Sequence, residues 1–393
     1  MEGLNGRKWR SGYVLRWDRL LPGDIILSRH SKGGDESLWS AAKSKFIRVA
    51  TGGEYSHAML YFTQSIIHAT PPGVFSTNPQ RLIACEPDAF RVLRYAGLSD
   101  EQRALIELFA REKVGTLYHI KFEEAMALRR QSNTRGQLIF GNRQFCSRLV
   151  AQAYGAVGVK IVPNPYLCTP SDFLKCSNLQ IVDAGVVNSA NENDLAIVNS
   201  HDFAKQNLEH TFRWLKEARR CGRKCGVEIQ TVNDAIRFAQ SNSEADKKIA
   251  QALESSGYLT DWADERGAHE YRYKPALMCM LISAGKTSLK TEVVSAVSAA
   301  FKFCSELMAC RECLRIGKCM VLAAHETLYM NLLDDIVLKL NSLAQVSYLL
   351  DFPIIELTQI SEVCKETISG RMLFEKLPEH AHRFSTEIQA YFN

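Results

Sequence analysis

A cysteine at the start of a predicted helix is the residue of this chain best suited to nucleophilic chemistry. Cys146 opens the helical part of the amphipathic segment NRQFCSRLVAQAY, residues 142–154. At such a position, main-chain N–H groups and the positive end of the helix dipole favour thiolate over thiol. A thiolate attacks acyl carbons, so this residue and its placement indicate acyl transfer through a thioester.

Two histidines upstream offer the base that this nucleophile needs. His57 opens the predicted strand HAMLYF, and His68 lies in the next one, SIIHAT. A hairpin with its turn near Thr63 and Gln64 would place the two histidines opposite each other, about 5.5 Å apart at the Cβ atoms. One imidazole could then orient the other through a hydrogen bond.

The elements that position these residues are predicted to form an α+β domain. Short apolar runs across residues 21–98 alternate with turns rich in Pro and Gly, which is typical of successive antiparallel strands. Ser99 is suited to cap a helix that runs to about Val114, with Gln102 in its first turn. The polar stretch SANEND follows the last predicted strand, so we assign this domain to residues 1–185.

Beyond that stretch the hydrophobic period changes from two to 3.6. Residues 186–393 are therefore predicted to form an all-α domain, whose role we leave open between partner binding, targeting and covering the substrate. The predicted helices span residues 195–220, 227–240, 244–255, 274–284, 287–316, 318–350, 354–369 and 379–391.

Composition narrows the class of protein. The first residues lead into no apolar signal core and no run of 18 apolar residues follows, so we expect a protein that is cytoplasmic as synthesised. Delivery into another cell by a secretion system stays open.

Residues 1–185 hold 24 Lys and Arg against 16 Asp and Glu, a net charge of +8, which suits an anionic substrate or a membrane surface. The aromatic residues do not interleave with the basic ones, which argues against nucleic acid as a partner.

The twelve cysteines are spread irregularly, as expected of reduced thiols in a cytosolic protein. Cys310, Cys313 and Cys319 cluster at spacings that invite a zinc interpretation. A Cys-x-x-Cys inside a continuous helix lacks a knuckle turn, however, and buried thiols are the favoured interpretation. AGKTS resembles the end of a phosphate-binding loop, but Met280 stands where the first glycine is needed. We therefore predict no metal and no cofactor.

A long insertion separates the first two predicted strands. On a helix, Trp39 and Phe46 would share an apolar side flanked by basic residues. Two interpretations stay open: a helix packed on the sheet, or a mobile lid over the site.

The order of these segments resembles the permuted NlpC-type papain-like proteins, which include the YiiX/YaeF-like cysteine hydrolases and lecithin:retinol acyltransferase. The resemblance covers roughly residues 20–185 and is carried by PGDIIL, YSHAMLYF, IIHAT, GTLYHIKF, FCSRLVAQAY and TPSDFLKC. In this group the histidine precedes the cysteine, as His57 precedes Cys146. The resemblance implies a permuted papain-like domain with an antiparallel sheet and a nucleophile helix.

The resemblance also implies roles for single residues. Cys146 would be the nucleophile, His57 the general base and His68 the orienting third residue. Tyr118 matches a tyrosine near the cysteine and, with the N–H of Cys146, would hold the oxyanion. Many YiiX-like members carry Glu at the third position, so His68 departs from them and is closer to the acyltransferase branch.

Three functions follow from this pattern. We expect first a hydrolase or acyltransferase acting on lipid acyl esters, in effect a phospholipase A, serving as an antibacterial or host-directed effector. The alternative is an amidase or peptidase that cleaves peptides such as peptidoglycan stem peptides. The third is a binding or scaffold protein, in which the helical domain recruits a partner and the papain-like site is vestigial. In a delivered effector, the helical domain would bind an immunity or delivery protein.

Overall fold

A computed structural model of the chain describes residues 8–29, 54–63, 65–70, 73–118, 143–182 and 185–392. The chain folds into two compact units, Met1–Leu208 with Gln230–Asn233 and Glu209–Ile229 with Asp234–Asn393. The first unit carries antiparallel sheets and the second is helical. The predicted fold class, an α+β domain followed by an all-α one, is confirmed.

The strands of the first unit form two sheets. They are β1 (Tyr13–Leu15), β2 (Ile25–Ser28), β3 (His57–Phe62), β4 (Ser65–Thr70), β5 (Gly73–Thr77), β6 (Ile83–Ala84), β7 (Phe90–Tyr95), β8 (Leu179–Ile181) and β9 (Val187–Ser189). The larger sheet has the order β5-β4-β3-β2-β7-β8, and the smaller one has the order β6-β1-β9. All named pairs are antiparallel.

The Pro-Gly turn before β2 has the geometry that its sequence demands. Gly23 lies at φ +90°, a conformation that other residues rarely adopt. Asp24 is buried, accepts from the N–H of Leu21 at 2.8 Å and pairs with Arg94 of β7 at 2.6 Å. The carbonyl of Gly23 accepts from the hydroxyl of Tyr154 at 2.6 Å, so the turn also fixes the nucleophile helix.

Two helices of the first unit pack against each other. They are α1 (Asp100–Glu112) and α2 (Cys146–Gly155). The predicted cap of α1 is present as a capping box, in which Ser99 accepts from Gln102 N–H and the Gln102 side chain accepts from Ser99 N–H.

One face of the larger sheet packs against α2. Ala58, Leu60 and Phe62 of β3 share a core with Leu149 and Val150 of the helix, and all five are fully buried. Truncating a buried leucine such as Leu149 to alanine costs about 2–5 kcal/mol of stability. This packing fixes the position of the start of α2 relative to the sheet.

The first unit extends past the boundary expected near Gly185. Strand β9 pairs with β1, and Asn199 exchanges two hydrogen bonds with the main chain of Trp9, at 2.8 and 2.9 Å. Residues that follow the polar linker therefore still belong to the sheet-bearing unit.

Further helices follow along the chain. They are α3 (Glu192–Asn199), α4 (Phe203–Lys224), α5 (Val232–Ser241), α6 (Ser243–Ser255), α7 (Asp261–Ala268), α8 (Pro275–Ser283), α9 (Leu289–Ile316), α10 (Met320–Leu349), α11 (Glu356–Ile368) and α12 (Leu377–Ala390). The single helix predicted for residues 195–220 is wrong, because Ser200 is extended at the end of α3 and its carbonyl accepts from Arg81. Helix α7 falls where no helix was predicted.

Helix α9 is long and apolar enough to cross a membrane by length and composition, a test that core helices of soluble proteins also pass. Val293, Ala300, Cys304 and Leu307 of this helix are fully buried in the core of the second unit.

Candidate active site

Cys146 is the first residue of α2 and is buried, with 6% of its surface exposed. Phe145 precedes it in an extended conformation (φ −130°, ψ 165°) and offers no side-chain acceptor to the first turn. The N–H groups of the helix start are therefore left for another acceptor. Ser147 is also buried, and its hydroxyl donates to the carbonyl of Cys168 at 2.6 Å, which anchors the first turn.

Burial and hydrogen bonds act in opposite directions on the thiol. Desolvation raises the pKa of Cys146 above its usual value, and this effect outweighs the main-chain N–H groups of Ala58, Ser147 and Cys146 itself, which lower it. The helix start favours the thiolate as expected, but the net result is a thiol that stays protonated at neutral pH. The contact with Ala58 also places the sulfur beside the residue that follows His57.

The two histidines meet on neighbouring strands. His57 Nε2 and His68 Nδ1 are 2.9 Å apart, and the ring centroids are 5.1 Å apart. The register pairs His68 with Met59, so His57 lies diagonally across from His68, two residues further along β3. The predicted hairpin and its contact are present, and the diagonal offset is the difference from the expectation.

The His68 ring is buried and His57 is half-buried. Among the described residues, each ring has the other histidine, not a carboxylate, at its hydrogen-bonded end. Desolvation lowers the pKa of His57 to about 4. Desolvation, and then the neighbouring His57, lower the pKa of His68 well below its usual value. Among the described residues, His68 Nε2 has no hydrogen-bond partner, and the ring lies 4.4 Å from that of Phe75. The pair is therefore neutral at pH 7.

Tyr118 is a further titratable group near the thiol, at a bridge outside the named strands. It forms a parallel bridge with Gln144, two residues before Cys146. Burial, and then the Cys146 thiolate once it forms, raise the pKa of Tyr118 far above its usual value. Tyr118 therefore keeps its proton at every functional pH.

Gln144 and the N–H of Ala58 were missed by the sequence interpretation. Gln144 is 2% exposed and donates to Gln152 Oε1 at 2.9 Å, while its own Oε1 has no partner within the part of the chain that the structure describes. Its position two residues before the cysteine, in an extended stretch, was the available clue. The Ala58 N–H carries no sequence clue, because any residue except proline supplies it.

Other predicted features lie outside this arrangement. Trp39 and Phe46, the suggested lid, lie outside the described residues. Cys310 Sγ lies 3.2 Å from the carbonyl of Leu322, and Cys319 Sγ lies 3.3 Å from Asp246. No group of three or more His, Cys, Asp or Glu residues suited to a metal ion occurs among the described residues.

Antiparallel strands carrying a histidine pair, followed in sequence by a cysteine at a helix start, define the permuted papain-like class. Residues 19–208 match the family model described as "Permuted papain-like amidase enzyme, YaeF/YiiX, C92 family". The match confirms, over this part of the chain, the resemblance to the permuted papain-like cysteine hydrolases. Searches of curated proteins and of solved structures gave no match.

Proposed function

We propose that Cys146 of the first unit attacks acyl compounds and forms a thioester that water or another acceptor resolves. His57 acts as the general base, His68 orients it, and Tyr118 with the N–H of Cys146 binds the oxyanion. The observation that supports this most is the 2.9 Å hydrogen bond between His57 and His68. Ala58, the residue after His57 on β3, directs its main-chain N–H at the Cys146 sulfur.

The protonation states suggest when the proton moves. If His57 Nε2–H donates to His68 Nδ1, the lone pair of His57 lies on Nδ1 and is free to take the thiol proton. The thiol has a raised pKa and His57 a lowered one, so the resting pair is neutral. This differs from the thiolate–imidazolium pair suggested by the helix start alone. Transfer to His57 would accompany sulfur attack, and Tyr118 would meet the charge that develops on the carbonyl oxygen.

Amides are the first substrate class that we propose, because the matched family is described as an amidase. Lipid acyl esters are the second, because His68 stands where many YiiX-like relatives carry Glu and because the first domain is basic. The thiolate chemistry is the same for both, and the pocket decides between them. The effector role and an immunity or delivery partner for the helical domain stay predictions.

Matched substrates would separate the two classes. We would measure hydrolysis of a decanoyl amide and a decanoyl ester of the same coumarin fluorophore family, of stem peptides, and of vesicles of phosphatidylcholine with phosphatidylglycerol. We expect the amide or peptide to be cleaved with a Cys146-bound acyl group visible by mass spectrometry. Cys146→Ala should abolish turnover, and Cys176→Ala, a half-buried cysteine of the same unit, should retain it.

Release of fatty acid from vesicles with untouched amides would reverse the order of the two substrate classes. Turnover that survives Cys146→Ala, or a wild type that never carries an acyl group on Cys146, would refute the enzyme proposal. The scaffold interpretation would then be the one left.

A further inference from the structure

A short segment far along the chain belongs to the unit that carries the site. Gln230–Asn233 is grouped with Met1–Leu208, although the family match ends at residue 208. Gln230 is 3% exposed, an unusual position for an amide side chain on a loop. A buried amide of this kind is retained where its hydrogen bonds are needed.

The partner of Gln230 is the main chain beside Tyr118. Gln230 Oε1 accepts from the N–H of Leu117 at 3.1 Å. The carbonyl of Leu117 in turn accepts from the N–H of Gln144 at 3.2 Å. Leu117 is therefore held at both of its peptide groups, by Gln230 on one side and by the strand that leads into Cys146 on the other.

The segment before Leu117 is fixed as well. The N–H of Gly115 donates to the carbonyl of Val74 at 2.9 Å, and the N–H of Val74 donates to the carbonyl of Thr116 at 2.8 Å. Gly115 lies at φ +93°, where the chain turns away from α1. A chain of hydrogen bonds thus runs from β5 through residues 115–117 to Gln144, and Gln230 is its one side-chain member.

We propose that Gln230 is a positioning residue of the active site, which holds Leu117 so that the Tyr118 hydroxyl faces the Cys146 sulfur. This inference rests on the proposed function, in which Tyr118 donates to the oxyanion. It adds that a residue outside the family-matched region completes the hydrogen-bond chain of the site. Displacing a donor by a fraction of an ångström weakens a preorganised oxyanion site substantially.

The test uses the full-length protein and a readout that needs no substrate. The pH dependence of Cys146 alkylation by iodoacetamide reports how well neighbouring donors stabilise the thiolate. We would compare wild type, Tyr118→Phe, Gln230→Met, which removes the acceptor, and Gln230→Glu, which keeps an oxygen acceptor. Gln180→Met, an exposed glutamine on β8, is the matched control.

We expect Tyr118→Phe to move the alkylation midpoint upward by about one pH unit and Gln230→Met to move it by about half as much. Gln230→Glu and Gln180→Met should stay within about 0.2 of wild type, and the limiting alkylation rate at high pH should stay within about twofold in all variants. Amide hydrogen exchange at Leu117 should accelerate in Gln230→Met alone, with thermal melting confirming that each variant is folded.

An alkylation midpoint that moves in Tyr118→Phe but not in Gln230→Met would overturn the positioning role of Gln230. An alkylation midpoint that is the same in Tyr118→Phe and in wild type would overturn it as well. In parallel, the acylation burst with 4-nitrophenyl decanoate should fall about tenfold in Gln230→Met with little change in KM. A wild type that neither gives a burst with this ester nor turns over the amide substrates would refute the proposed function only, because the alkylation profile still decides the role of Gln230.

Discussion

The two sides of the candidate site are built in opposite ways. His57 and His68 lie eleven residues apart on a hairpin, and their contact follows from the register of two adjacent strands. Tyr118 lies on a segment held by an isolated bridge to Gln144 and by the bond from Leu117 to Gln230, which is 113 positions after Leu117. The proposed base is placed by local structure, whereas the proposed oxyanion donor depends on contacts that are distant in sequence.

Removing the base tests the local side and should have the largest effect. We expect His57→Ala to reduce kcat/KM by about 10³-fold or more, because a neutral thiol with a raised pKa needs a base during attack. Melting temperature should fall only slightly, since His57 opens its strand. A loss of less than tenfold, measured on the best substrate, would show that another group takes the proton.

Removing the donor tests the distant side. Tyr118→Phe should reduce kcat by about 10²-fold with KM nearly constant, because an oxyanion donor acts mainly in the transition state. The phenyl ring keeps the packing of Tyr118, which is 7% exposed. Steady-state kinetics give the answer, and an equal change in KM and kcat would point to substrate binding instead.

The pH profile tests the neutral histidine pair. As the proposed base, His57 must be unprotonated, and its pKa of about 4 means that kcat/KM should persist on acidification well below pH 6.5 and fall near pH 4. His68→Glu should raise the lower limit by about one pH unit or more, because a carboxylate stabilises the imidazolium. An unchanged acidic limit of kcat/KM in His68→Glu would show that His68 does not influence His57.

The lowered pKa of His57 also makes the free energy of unfolding depend on pH. The pKa of His57 is lower folded than unfolded, so the unfolded state binds more protons between about pH 6.5 and 4 and stability falls as the pH falls through this window. Urea unfolding of His57→Asn across the same window should show a weaker pH dependence than wild type. A steeper dependence in the variant would contradict the burial of a neutral ring.

Gln144 offers the smallest of these effects. Gln144→Glu places a carboxyl group in a buried position whose Oε1 lacks a partner among the described residues. We expect about a fivefold loss of kcat and a melting temperature lower by several degrees, since a buried acid must stay protonated. Gln80→Glu, on a partly exposed turn, provides the control for the charge change.

The sequence predicted the parts of this fold that depend on neighbouring residues. The hairpin, the Ser99 capping box and the nucleophile helix follow from period-two alternation, a capping serine and an amphipathic segment. The break between α3 and α4 was missed because it depends on Arg81, more than a hundred residues upstream. Gln144 and Gln230 were missed for the same reason, because glutamine is ordinary on a surface and only tertiary contacts reveal that it is buried.

The small sheet β6-β1-β9 joins residues 13–15 to residues 187–189, so both ends of the sheet-bearing unit lie at one place. A fragment cut at Gly185 would lose β9 and leave β1 with an unpaired edge, which is prone to aggregation. A fragment cut after residue 208 would keep that pairing and lose Gln230. We therefore expect a soluble circular permutant when a short linker joins the two ends of this unit and the chain is opened at an exposed turn. Such a variant would rearrange once more an order of elements that is already permuted.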